Sequence, residues 1–124
     1  MNWQLTDDQL KIQGRARDLA REVIGPRAAA VDEAEQYPWE NVAALTESGF
    51  TGMGVPAEYG GPGHSLLDSV LVVEEMAKVC GVTGRIAVEC NMATCPFLFL
   101  IKAKTLSSTS CFQYSFETQL YISS

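Results

Sequence analysis

The side chains in this sequence that could do chemistry fall into three sets: carboxylates, thiols with a single imidazole, and a run of glycines. Glu74-Glu75 is a carboxylate pair, Glu89 follows it, and Glu58 precedes Tyr59. A carboxylate works as a general acid or base when its surroundings move its pKa toward neutrality. Short helices need a polar side, so Glu74, Glu75 and Glu89 are expected on solvated helix faces, and Glu58 is expected to cap or pair locally. The four cysteines, Cys80, Cys90, Cys95 and Cys111, form no C-x-x-C pair, and His64 is the only histidine. Zinc asks for closely spaced thiolate or imidazole ligands, so no metal site is expected, and the thiols read as reduced, buried small hydrophobes. His64, after Pro62-Gly63, reads as an exposed loop residue. Gly49, Gly52 and Gly54 could suggest a phosphate cradle. A dinucleotide fingerprint, however, runs strand, glycine turn, helix N-terminus, and these glycines lead into Val55-Pro56 instead. Gly60-Gly61 and Gly63 are expected to supply positive φ in a tight loop. On residue types alone, no catalytic residue, cofactor-binding residue or metal ligand is assigned.

The elements that must carry these residues read as helices throughout. Thr6 with Gln9 makes a capping box, with Asp7 and Asp8 where a helix N-terminus favours negative charge. Ile12, Ala16, Leu19, Ala20, Val23 and Ile24 recur at steps of three and four, one apolar stripe with Lys11, Arg15, Arg17 and Arg21 mostly off it. Asp7 can pair with Lys11 one turn on. Gly25-Pro26 is expected to break or kink this helix before a short Ala-rich one from Arg27 to Ala34. Pro38 stands as a first-turn proline for a helix carrying Val42, Ala43, Leu45 and Thr46, with Gly49 its left-handed cap. A Gly/Pro-rich loop fills Phe50 to His64. Ser65 with Asp68 opens a helix through Leu67, Val70, Leu71, Glu74, Met76, Ala77 and Cys80. After Gly81 another starts at Thr83 or Gly84 and runs through Ile86, Val88, Cys90 and Met92. No strand alternates convincingly in this stretch, so the fold class is all-α, a helical bundle of about five helices.

Composition limits the rest. A chain of 124 residues holds one domain, and 47% hydrophobic with 19% charged residues describes a globular protein. The net charge of −6 argues against nucleic acid, whose phosphates it would repel. No signal peptide is read at the start, and the longest apolar run, Pro96 to Ile101, is far short of the ~20 residues a membrane span needs. The cytoplasm is the expected location. Fourteen of the fifteen acidic residues precede Thr94, and Glu117 is the single charge after Lys104. Residues 101–124 therefore read as a divergent, poorly ordered tail.

In this order the elements resemble the N-terminal helical domain of acyl-CoA dehydrogenases. The resemblance rests on Leu5-Thr6-Asp7-Asp8-Gln9 with Ala16-Arg17-Asp18-Leu19-Ala20, on Tyr37-Pro38, and on Glu47-Ser48-Gly49-Phe50 with Gly52-Met53. It continues in Val55-Pro56-Ala57-Glu58-Tyr59-Gly60-Gly61-Pro62-Gly63, its most specific stretch, then in Val73-Glu74-Glu75-Met76-Ala77 and in Cys80 with Thr83-Gly84. It covers residues 1–100 and thins after Asn91-Met92. The resemblance implies a FAD-dependent oxidoreductase of acyl-CoA thioesters, in which a glutamate removes a proton from the α-carbon while hydride leaves the β-carbon for the flavin. The glutamate belongs to the family's C-terminal domain, and the flavin is held mainly by the middle domain, the C-terminal domain and a partner subunit. No residue here matches either set, so this chain is expected to bind no FAD alone and to be inactive alone, as a truncation, frameshift product or gene fragment. What the resemblance does assign here is one wall of the acyl-chain pocket, along the helix from Thr83 to Met92, with Val88, Asn91 and Met92 as the residues facing the substrate; Val88 and Met92, four apart, would equally serve as ordinary core. Two other roles compete with an incomplete enzyme. One is a helical interaction module that binds a partner through its uncovered apolar face, with self-association also expected of the lone domain; the other is a split subunit pairing with dehydrogenase domains on a second chain.

Overall fold

The computed structural model describes residues 4–92. Among them the regular structure is helical, with five α-helices: α1 (Asp7–Leu19), α2 (Ala28–Ala34), α3 (Trp39–Glu47), α4 (Leu66–Ala77) and α5 (Gly81–Met92). The expected tail, 101–124, lies outside the described residues, as do Cys95 and Cys111. The all-α class stands.

Local chemistry sets most helix ends. Thr6 caps α1: its Oγ1 accepts from Gln9 N–H at 3.3 Å, and Gln9 Oε1 accepts from Thr6 N–H at 3.0 Å. Ser65 and Asp68 repeat the exchange at α4, at 3.3 and 2.9 Å. Each box satisfies donors that a helix start leaves without carbonyl partners. Helix α3 closes through Gly49, at φ +75°. Gly49 N–H donates to the Thr46 carbonyl at 3.0 Å, and Phe50 N–H reaches back to Leu45 at 2.9 Å. That pairing turns the chain sharply and sets Phe50 over Leu45, both buried.

The first helix departs from expectation at its C-terminal end. Instead of a break at Gly25-Pro26, the helical path runs through a π turn (Ala20–Ile24) and a 3-10 turn (Gly25–Arg27) straight into α2. Proline has no N–H to give, and the change from π to 3-10 coil accommodates it while the backbone stays helical. Ala20 and Ile24 stay buried as a result. Lys11 pairs with Asp8 at 3.1 Å rather than with Asp7.

Helix α4 packs between α1 and α5 and is the centre of the bundle. The core joins Ile12, Ala16, Ala20 and Ile24 to Leu45, Phe50 and Met53, to Val72, Met76 and Cys80, and to Ile86 and Ala87. Which face of α4 is buried differs from the apolar reading. Leu67 and Val70 are exposed, while Val72, Asp68 and Glu75 are inside. Glu75, expected in solvent, is 4% exposed because Arg17 of α1 grips it with two hydrogen bonds, at 3.0 and 3.3 Å, and Lys78 adds a third at 3.1 Å.

Those contacts make stability depend on pH. The Arg17 hydrogen bonds hold the Glu75 carboxyl below its usual range against the opposing effect of burial. For Asp68, burial pushes upward, but the Ser65 backbone and hydroxyl outweigh it, and the net direction is again down. A carboxyl depressed in the folded state stabilises above its unfolded pKa, and that stabilisation is lost as pH falls through the folded value. Acid unfolding followed by circular dichroism should therefore set in below the ordinary carboxylate range of about pH 4. Glu75→Gln should weaken the fold at pH 7 and flatten this acid limb. Glu89→Gln should leave it alone, since Glu89 pairs only at the surface with Arg85. Identical acid limbs in wild type and Glu75→Gln would overturn the assignment.

Candidate functional site

Helix α5 has two sides. Thr83, Gly84, Ile86, Ala87 and Asn91 face the bundle and are buried. The opposite side carries Arg85, Val88, Glu89 and Met92, spaced i, i+3, i+4 and i+7, so they share one outward strip. Val88 is half-buried and Met92 is 62% exposed. Asn91, expected to face substrate with them, faces inward. Its Oδ1 accepts from Met53 N–H at 2.9 Å, and its Nδ2 donates to the Phe50 carbonyl at 3.0 Å and to Ala87 at 2.9 Å. An amide suits this place because it can accept from one buried backbone group and donate to another at once.

The Gly-rich loop is thereby fastened to α5. Met53 bridges the two: while its N–H is held by Asn91, its carbonyl accepts from His64 N–H at 2.8 Å. Gly60 and Gly63 have positive φ, 80° and 67°, as expected, whereas Gly61 does not and is instead packed against Val55. Arg15 of α1 covers the loop's start, donating to the Ser48 carbonyl at 2.8 Å with its guanidinium 5.3 Å from the Phe50 ring centre. A second polar pin joins α3 to α5, where Asn41 donates to Thr83 Oγ1 at 2.9 Å and Thr83 donates to Cys80 Sγ at 3.3 Å. Cys80 and Cys90 are free thiols; burial first, then Glu89, raises the Cys90 thiol and keeps it protonated.

The remaining candidates do not assemble with α5's outer strip into a catalytic set. His64 stands 3.6 Å from Asp68 on the loop side, and Glu58 is exposed on a short 3-10 turn (Ala57–Tyr59). A flavin dinucleotide asks for converging N–H groups or cations around its pyrophosphate. Gly49, Gly52 and Gly54 lead into that three-residue turn rather than a helix start, and Gly60, Gly61 and Gly63 precede the start of α4, where the Ser65–Asp68 capping exchange already occupies the first N–H groups and adds a carboxylate. An open hollow of about 390 Å³ near α2 is lined by Asp32 and Glu35 beside Tyr37, Pro38 and Val82. Two carboxylates repel a pyrophosphate, which binds where N–H groups or cations converge. Among the described residues no cluster of His, Cys, Asp and Glu is placed to hold a metal ion, and no helix is long and apolar enough to cross a membrane.

The described residues thus form a helical bundle with a fastened glycine loop, and the outer strip of α5 sets apolar Val88 and Met92 beside charged Arg85 and Glu89. Residues 6–101 match the model of the acyl-CoA dehydrogenase N-terminal domain, and the chain belongs to that family. It is 53% identical over 90 residues to a 3-sulfinopropanoyl-CoA desulfinase of Variovorax paradoxus and 54% identical over 90 residues to the enzyme of that name from Paraburkholderia xenovorans. Each match covers 73% of this chain and 23% of the relative. A short-chain specific acyl-CoA dehydrogenase of Clostridium acetobutylicum is 40% identical over 84 residues, covering 68% of this chain and 22% of that protein. The chain thus spans less than a quarter of the length of these relatives. One feature of the strip escaped the sequence reading. Arg85 sits one turn before Val88, its side chain 82% exposed and its Nε 2.9 Å from Glu89. A lone cation at i−3 and i−7 to the two apolar candidates was the available signal.

Proposed function

We propose that this stretch forms one wall of the acyl-CoA pocket of a FAD-dependent enzyme of the acyl-CoA dehydrogenase family, with Val88 and Met92 toward the acyl chain. Taken alone, the 124 residues bind no flavin and turn over no thioester. Asn91 serves the wall indirectly, by holding the loop to α5. The observation that carries the reading is the outward strip of α5, apolar at Val88 and Met92, in a domain whose family handles acyl thioesters. The carboxylates with displaced pKa values point the same way. Asp68 and Glu75 are held low by their partners, whereas a base that removes a C–H proton gains from a raised pKa. A cytoplasmic location goes with this reading. The purified protein should be colourless, without flavin absorbance, and should reduce no dye when given an acyl-CoA. A stoichiometric yellow cofactor retained through gel filtration would reject incompleteness. Recovery of flavin only together with a second chain would favour the split subunit.

A second reading concerns the reaction served. The similarity to the two desulfinases, 53–54%, exceeds the 40% to the short-chain dehydrogenase, and we propose that the pocket serves a short acyl-CoA bearing a terminal sulfinate. Arg85 is the cation on the acyl-facing strip that would pair with that anion. The test is a chimera in which residues 6–92 replace the matching part of the Variovorax enzyme. Charged hydrogen bonds contribute about 1.5–3 kcal/mol, so Arg85→Met should lower kcat/KM for 3-sulfinopropanoyl-CoA roughly 10- to 150-fold. Turnover of an uncharged short acyl-CoA should change little. Equal losses on both thioesters would reject the role of Arg85.

A further inference from the structure

We draw no further inference here: the strongest candidate, the exposed apolar patch of Leu66, Leu67 and Val70 on the outer side of α4, carries nothing because nothing in the structure shows what covers it.

Discussion

Asn91→Ala should destabilise the folded domain by about 2–6 kcal/mol, the cost of leaving two buried backbone groups without partners at roughly 1–3 kcal/mol each. The two groups are Met53 N–H and the Phe50 carbonyl, on residues that are themselves almost wholly buried. Domains of this size are stable by roughly 5–15 kcal/mol, so the loss brings the bundle close to unfolding. Urea denaturation followed through the fluorescence of Trp39, which stands edge-on to Tyr37 at 4.6 Å between ring centres, would measure it. Asn91→Asp separates a hydrogen-bond role from a packing one. The carboxylate keeps the acceptor for Met53 but turns an oxygen toward the carbonyls of Phe50 and Ala87, where the amide had donated. At pH 7 this variant should be no more stable than the alanine one. Burial and the facing carbonyls favour its protonated form in the folded state, raising the folded pKa. Its deficit relative to wild type at the same pH should therefore shrink as pH falls through that raised value. A pH-independent deficit would show that Asn91 merely fills space.

The same residue marks where sequence reasoning stops. The sequence places Asn91 on the same helix as Val88 and Met92, and α5 does carry all three. Which side of the helix it occupies depends on Phe50 and Met53, about forty positions earlier, and no periodicity within α5 reports them. Glu75 is a parallel case. Beside Glu74 it reads as half of a solvated pair, until Arg17, fifty-eight positions away, arrives to neutralise it inside the bundle. On α4, Leu67 and Val70 outrank Asp68 and Glu75 in hydrophobicity, yet the latter two are inside, because a capping exchange and an ion pair compensate their burial. By contrast, the capping boxes at Thr6 and Ser65 and the left-handed cap at Gly49 were legible, since each is decided within a few residues by groups a helix end must satisfy. Local chemistry could be read directly; long-range compensation could not. The candidate site suffers most from this difference, because its one polar candidate was an amide with long-range partners.

Close approach of backbones is the other property that residue types conceal, and it yields a prediction whose sign depends on position. Glycine in a helix interior is about 0.5–1 kcal/mol worse than alanine, so on propensity alone any such Gly→Ala change should stabilise. Gly14 in α1 meets that condition: a Cβ there has no foreign atom within 4 Å. Gly14→Ala should raise stability by about 0.5–1 kcal/mol. Gly84 in α5 does not. A Cβ there would lie 2.8 Å from both Cα and Cβ of Ala77 and 3.0 Å from its backbone nitrogen, and α4 cannot yield by rotating a side chain. The helices must separate, loosening Thr83, Ile86 and Ala87 in the core. Overpacking of this kind costs about 1–3 kcal/mol, enough to outweigh the propensity gain, and Gly84→Val should cost more than Gly84→Ala because its branched side chain meets the same backbone. Adding Ala77→Gly to Gly84→Ala should restore only part of the loss, since the Cα and nitrogen of residue 77 remain in the way. Because α5 carries Val88 and Met92, the same separation would displace the proposed pocket wall, so in the chimera Gly84→Ala should raise KM for the acyl-CoA while Gly14→Ala leaves it unchanged. Thermal melts of the two single variants moving in the same direction would overturn the packing assigned to α4 and α5.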